Sequence, residues 1–128
     1  MDSSHCVVDS SVFVAFYYAG DPQHEAADRV MRELEECTFI VHPYAIQETA
    51  TVLTRKGGFE AAKKFLRDVT EAPNVIIPAV DARNDIIAFI NAAQKISFTD
   101  IALITLARQA GARLITFDDQ MLRLFKFK

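Results

Sequence analysis

Four short apolar runs, separated by amphipathic stretches, restrict this chain to an α/β fold built on a parallel sheet. The runs are His5–Val8, Thr38–Val41, Val75–Ile77 and Ala112–Thr116. A strand that is apolar along its whole length is buried on both faces, and parallel neighbours need crossover helices to cover them. The intervening segments supply those helices. Ser10 and Ser11 precede a helix over Val12–Tyr18, and Asp21-Pro22 starts one that runs to Glu36, with Ala26, Ala27, Val30, Met31 and Leu34 at helical spacing. Pro43 opens a helix ending near Lys56 at Gly57-Gly58, and Phe59–Val69 is amphipathic. Asp81 caps a helix to Ala93, and Ser97 caps one ending at Gly111. The expectation is a single three-layer α/β/α domain over residues 1–128, with a central parallel sheet of four to five strands.

The 128 residues are 51% hydrophobic and 24% charged, a balance that builds a core rather than a disordered chain. No apolar run approaches the roughly 20 residues of a membrane span, and Met1–His5 lacks the basic start of a secretory leader. Cys6 and Cys37 give no disulfide framework, so a reducing cytoplasm is the expected setting. A net charge of −3 does not suit a nonspecific nucleic-acid coat. It does not exclude an enzyme whose acids carry a cation while it acts on nucleic acid.

Four acids occupy positions with a common geometric meaning. Ligands of an open parallel sheet bind beyond the carboxyl ends of its strands. Asp9 directly follows the first run, and Asp118 lies two residues past the fourth. Asp100 falls in the first turn of the helix that leads into the fourth strand, which begins at the same edge. Glu48 lies one to two turns into the helix after the second strand, with mainly apolar helical neighbours, so it is expected to face inward. Carboxylates brought together repel and raise one another's pKa. A hard divalent cation, Mg²⁺ or Mn²⁺, relieves that conflict because it prefers oxygen ligands and keeps several waters. Each acid also has a plainer role. Asp9 is placed to cap a helix, Ser97-Phe98-Thr99-Asp100 reads as a capping box, and Asp118 or Asp119 is placed to cap a terminal turn. The metal-site reading rests on the set.

Four segments carry a resemblance to a known family. They are Val7-Val8-Asp9-Ser10-Ser11-Val12, Pro43-Tyr44-Ala45-Ile46-Gln47-Glu48-Thr49-Ala50, Ser97-Phe98-Thr99-Asp100-Ile101-Ala102-Leu103 and Gly111-Ala112-Arg113-Leu114-Ile115-Thr116-Phe117-Asp118. In this order, and over nearly the whole chain, the sequence resembles the PIN-domain family and, within it, the VapC-type toxins of toxin–antitoxin modules. The resemblance implies a metal-dependent endoribonuclease with Mg²⁺ or Mn²⁺ held at Asp9, Glu48, Asp100 and Asp118. Ser10 and Thr116 match polar positions beside the metal. Asp119 adjoins Asp118, and the Thr-x-Asp spacing favours Asp118. Ile101 stands where the family commonly has alanine. The resemblance further implies an RNA substrate, a homodimer and a small antitoxin partner that blocks the acidic pocket.

Other signals are weaker. Arg55, Lys56, Lys63, Lys64 and Arg67 surround the Gly57-Gly58 break, and Arg123, Lys126 and Lys128 crowd the end. Either set suits RNA phosphates, and the first also suits a solvated helix face. Leu124–Lys128 reads equally as an edge strand protected by lysines. Apolar residues in Phe13–Tyr18 and the second helix are candidate contact surface or core. Two rivals stand beside the nuclease: a PIN-like scaffold that binds a partner without cutting, and a receiver-type phospho-acceptor domain. The latter would want paired acids after the first strand and an acceptor after the third, where Ile77-Pro78 stands instead.

Overall fold

The structure is a computed structural model that describes residues 4–126. Its strands are β1 (His5–Val8), β2 (Thr38–Ile40), β3 (Val75–Ile76) and β4 (Arg113–Ile115). They form one sheet in the order β3-β2-β1-β4, and every neighbouring pair is parallel. The helices are α1 (Ser10–Tyr17), α2 (His24–Glu33), α3 (Pro43–Lys56), α4 (Phe59–Glu71), α5 (Ala82–Ile90), α6 (Phe98–Ala110) and α7 (Asp119–Lys126). The expected three-layer α/β/α architecture is the one observed, with the sheet at the lower of the two strand counts. The receiver reading does not survive this order, because that fold runs 2-1-3-4-5.

Alternation along β1 divides the core in two. Cys6 and Val8 point into one layer with Val12, Phe13, Leu53 and Phe65, whereas Val7 points into the other with Leu103, Ile104, Ala107 and Met121. Phe65 is fully buried, and its ring packs 5.1 Å from Phe13 and 5.4 Å from Tyr17. α1 is therefore core rather than contact surface, because α4 closes over it. Exposed large apolar side chains lie instead on Ile76, Ile77 and Val80 and along α5, at Ile86, Ile87, Phe89 and Ile90.

Several boundaries differ from expectation for local reasons. Asp21 spends its carboxylate on the backbone N–H of Gln23, 2.8 Å away, which forms a turn and delays α2 to His24. α5 ends at Ile90, not Ala93. Gly111 adopts a left-handed conformation (φ 62°) that terminates α6 as expected. Residues 124–126 belong to α7 and not to an edge strand, and residues 127 and 128 of the expected strand lie outside the described residues. Helical spacing of Met121, Leu124 and Phe125 seats that helix on the second core layer, and Arg108 donates to the carbonyls of Leu124 (2.6 Å) and Phe125 (3.3 Å). Cys6 and Cys37 are not joined in a disulfide, and burial beside Cys37 pushes the Cys6 thiol up to about 12, which keeps it protonated and unreactive. Among the described residues, no helix is long and apolar enough to cross a membrane.

Candidate active site

The sheet order creates one place where neighbouring strands feed connections in opposite directions. From β1 the chain builds outward through β2 and β3, then returns to add β4 on the other side. The crevice at the carboxyl ends of β1 and β4 is the ligand position of such a sheet. Asp9 stands on one lip and Thr116-Phe117-Asp118 on the other. The N–H of Asp9 donates to the Ile115 carbonyl at 2.9 Å, locking the two lips together.

Asp9 is buried and held from three directions. Its Oδ1 accepts from the Ser10 N–H at 2.8 Å, as the cap of α1, and its Oδ2 accepts from Ser11 Oγ and Thr116 Oγ1, each at 2.8 Å. The same two hydroxyls reach the far lip: Thr116 Oγ1 accepts from the Asp118 N–H at 3.0 Å, and Ser11 Oγ from the Phe117 N–H at 3.3 Å. Ser11 is thus a positioning residue that the sequence reading treated only as part of a helix start. Its signal is the hydroxyl one residue further from Asp9 than Ser10. The Ser10 side chain instead hydrogen-bonds Glu48.

Asp100 and Glu48 complete the cluster. Asp100 lies in the first turn of α6, where its N–H donates to Ser97 Oγ at 3.0 Å. Burial, then the charge of Asp9, with Asp118 and Glu48 adding to it, pushes the Asp100 carboxyl up to about 6 against an opposing hydrogen bond from Ser97. Glu48 is raised by burial and by Asp9, and is opposed by its bond to Ser10. The four acids from four segments therefore share one electrostatic environment. Glu48 corrects the expectation of an inward-facing residue. It keeps substantial exposure, because it lines an open cleft rather than the core.

Asp118 lines a neighbouring cleft of about 460 Å³ with Asp100, Lys95 and Gln120, and its Oδ1 accepts from the Met121 N–H at 3.2 Å. Asp119 lies outside that cleft's lining and is not among the charges acting on Asp100, so Asp118 is the acid at the rim. Capping and clustering are not rival roles here. α1, α6 and α7 all begin at this edge, and their partly positive N-termini offset some of the repulsion among the acids.

The donor set suits a hard cation. It offers carboxylate oxygens, with no thiol or imidazole among the acids that couple to Asp100. Among the described residues, no three acidic, cysteine or histidine side chains are drawn close enough to make a closed cage. A hard cation that keeps several of its own waters does not require a closed cage of protein ligands.

The sequence matches the PIN domain family over residues 6–126. No curated protein matches it. Among solved structures, the chain is similar in fold to the sarcin-ricin loop cleaving toxin VapC20 of Mycobacterium tuberculosis, with a TM-score of 0.80 and 22% identity. That likeness covers 93% of this chain and 94% of the toxin. With the four acids at the switch point of a β3-β2-β1-β4 sheet, and a family match running from the first strand to the last helix, this chain belongs to the PIN domain family.

Proposed function

We propose that this protein is a metal-dependent endoribonuclease, acting as the toxin of a type II toxin–antitoxin module. The observation that supports the reading is the convergence of Asp9, Glu48, Asp100 and Asp118 at one edge of the sheet, where the charges of the other three act on Asp100. Asp9 is pre-set by Ser10, Ser11 and Thr116, so its carboxylate needs no reorganisation to receive charge. Mg²⁺ or Mn²⁺ would be held by Asp9, Asp100 and Asp118, with Glu48 reaching in from α3. Such an ion, when bound, supplies neutralisation of phosphate charge and activation of water for attack on phosphorus. The likeness to a toxin that cleaves the sarcin-ricin loop supports RNA as substrate.

The test is cleavage of a mixed set of structured RNAs by the purified protein with Mn²⁺, with Mg²⁺ and with chelator. Cutting that requires the cation is the expected result. Absence of cutting together with absence of metal binding by calorimetry would instead favour the partner-binding scaffold.

Thr116 yields a narrower expectation. Thr116→Val keeps the shape but removes the donor to Asp9 and the acceptor for the Asp118 N–H. Cleavage should fall by roughly 10- to 100-fold, the usual effect of losing a group that orients a metal ligand, in single-turnover measurements.

The proposal includes a homodimer and an antitoxin whose inserted segment covers the acidic cleft. The exposed Ile86, Ile87, Phe89 and Ile90 of α5 support a self-association surface, since monomers rarely leave so many large apolar groups together in water. Ile87→Glu combined with Ile90→Glu should convert a dimer to a monomer by light scattering, and an unchanged mass would place the interface elsewhere.

A further inference from the structure

Beside the acids, one face of α3 carries a row of side chains that metal binding does not account for. Tyr44, Glu48, Thr51 and Arg55 follow one another at spacings of four, three and four residues, which aligns them along the helix. All four line an open cleft of about 440 Å³, whose other wall includes Ser97 and Thr99 from the start of α6. From Tyr44 to Arg55 the row runs about 16 Å at the rise of an α-helix, enough for two or three nucleotides.

The Tyr44 ring is a fixed platform. His42 caps α3 by accepting the Tyr44 N–H on Nδ1 at 2.9 Å, and burial holds its imidazole below its ordinary value, in the neutral form that this cap requires. The His42 and Tyr44 rings lie 4.5 Å apart, and Phe98 approaches Tyr44 at 5.8 Å, each at a tilted angle rather than stacked on it. At the far end of the row, Arg55 is exposed and makes no ion pair among the described residues. The helix dipole alone would explain a basic residue in the last turn of α3. It would not explain an aromatic ring and an acid of the metal cluster on the same face.

We propose that this face of α3 is the track along which a single-stranded stretch of RNA runs past the acidic cleft, with Tyr44 stacking on a base and Arg55 holding a phosphate. The proposal rests on the ribonuclease reading and assigns two contacts of its RNA substrate to this face of α3. A paired base offers its plane to its neighbours, whereas bases in loops and single strands are free to stack on protein rings. Stacking also tolerates different bases, so the track selects for strandedness more than for sequence.

The experiment uses the full chain in an Asp100→Asn background, so that bound RNA survives. Fluorescence anisotropy reads binding of a labelled oligoadenylate and of the same oligonucleotide with single abasic positions. Tyr44→Leu, which keeps apolar bulk without a ring, should weaken binding by roughly tenfold, and Tyr44→Phe should restore it. One abasic position should lower affinity in the parent but not in Tyr44→Leu, which locates the stacked base. Arg55→Ala should reduce the slope of log affinity against log salt by about 0.7, the release expected from one phosphate on a single strand. Unchanged binding in both variants, while the unmodified protein still cuts RNA, overturns the track and leaves the ribonuclease standing. Neither binding nor cutting by the unmodified protein overturns both. A fall in molecular mass on Tyr44→Leu also overturns the track, because the face would then be an interface between copies of the chain.

Discussion

Asp9→Asn is expected to reduce RNA cleavage by on the order of a thousandfold while leaving the chain folded. The size follows from removing one carboxylate that a cation needs, a loss of about 4 kcal/mol of transition-state stabilisation. The fold should survive because the amide preserves the geometry around the site. Its oxygen still accepts from the Ser10 N–H, and its NH₂ faces the Ser11 and Thr116 hydroxyls, which rotate to accept. The substitution also removes the charge that raises both Asp100 and Glu48. Single-turnover rates at saturating Mn²⁺ separate this loss from weaker metal affinity. Asp119→Asn serves as the contrast, with an expected change within about twofold, because its charge does not act on Asp100. Equal losses in the two variants would show that position along the rim, and not the coupled cluster, decides activity.

Asp100→Asn is expected to stabilise the metal-free protein while removing its activity. At neutral pH the folded chain must keep a charge on Asp100 in a half-buried site facing Asp9, Asp118 and Glu48, which costs about 3 kcal/mol. Removing that charge should raise the melting temperature by roughly 10 °C in chelator. The pH dependence has a definite sign. Unfolded, Asp100 releases its proton near 3.8; folded, it retains it to about 6. Between those values the folded state binds the extra proton, so stability falls as pH rises through the window. The difference in melting temperature between variant and parent should therefore be small near pH 4 and grow to a plateau above pH 6. Added Mn²⁺ should raise the parent's melting temperature and leave the variant's nearly unchanged, since the cation stabilises only a chain that binds it. A variant less stable than the parent in chelator would mean that the hydrogen bonds around Asp100 outweigh the repulsion.

These two variants are expected to differ in their effect on stability because the cluster is built from acids in different surroundings. Asp9 has its charge satisfied by one N–H and two hydroxyls, whereas Asp100 has mainly neighbours of its own sign. Selection for function accounts for an arrangement in which a fold keeps a group that weakens it.

Much of this was legible in the chain itself. Strands that are apolar along their whole length demand a sheet covered on both faces, and Gly111 at the end of a helical pattern marks a stop whatever surrounds it. Asp9 and Asp118 could be placed at the same edge because a parallel sheet leaves a residue after each strand at one rim. Asp100 followed from the direction of the helix that begins there.

Other features were decided only in three dimensions. The order β3-β2-β1-β4 depends on which faces pack best, and local pattern carries no record of it. The choice of Asp118 over Asp119 depends on how α7 leaves the sheet, and the double role of Ser11 requires residues 106 positions apart to meet. Leu124–Lys126 suits either strand or helix by composition. It becomes helix because Met121, Leu124 and Phe125 together fill the layer beneath α6. Sequence fixes what each segment can bury. Tertiary packing decides which segments lie beside one another, and so which charges must share a site.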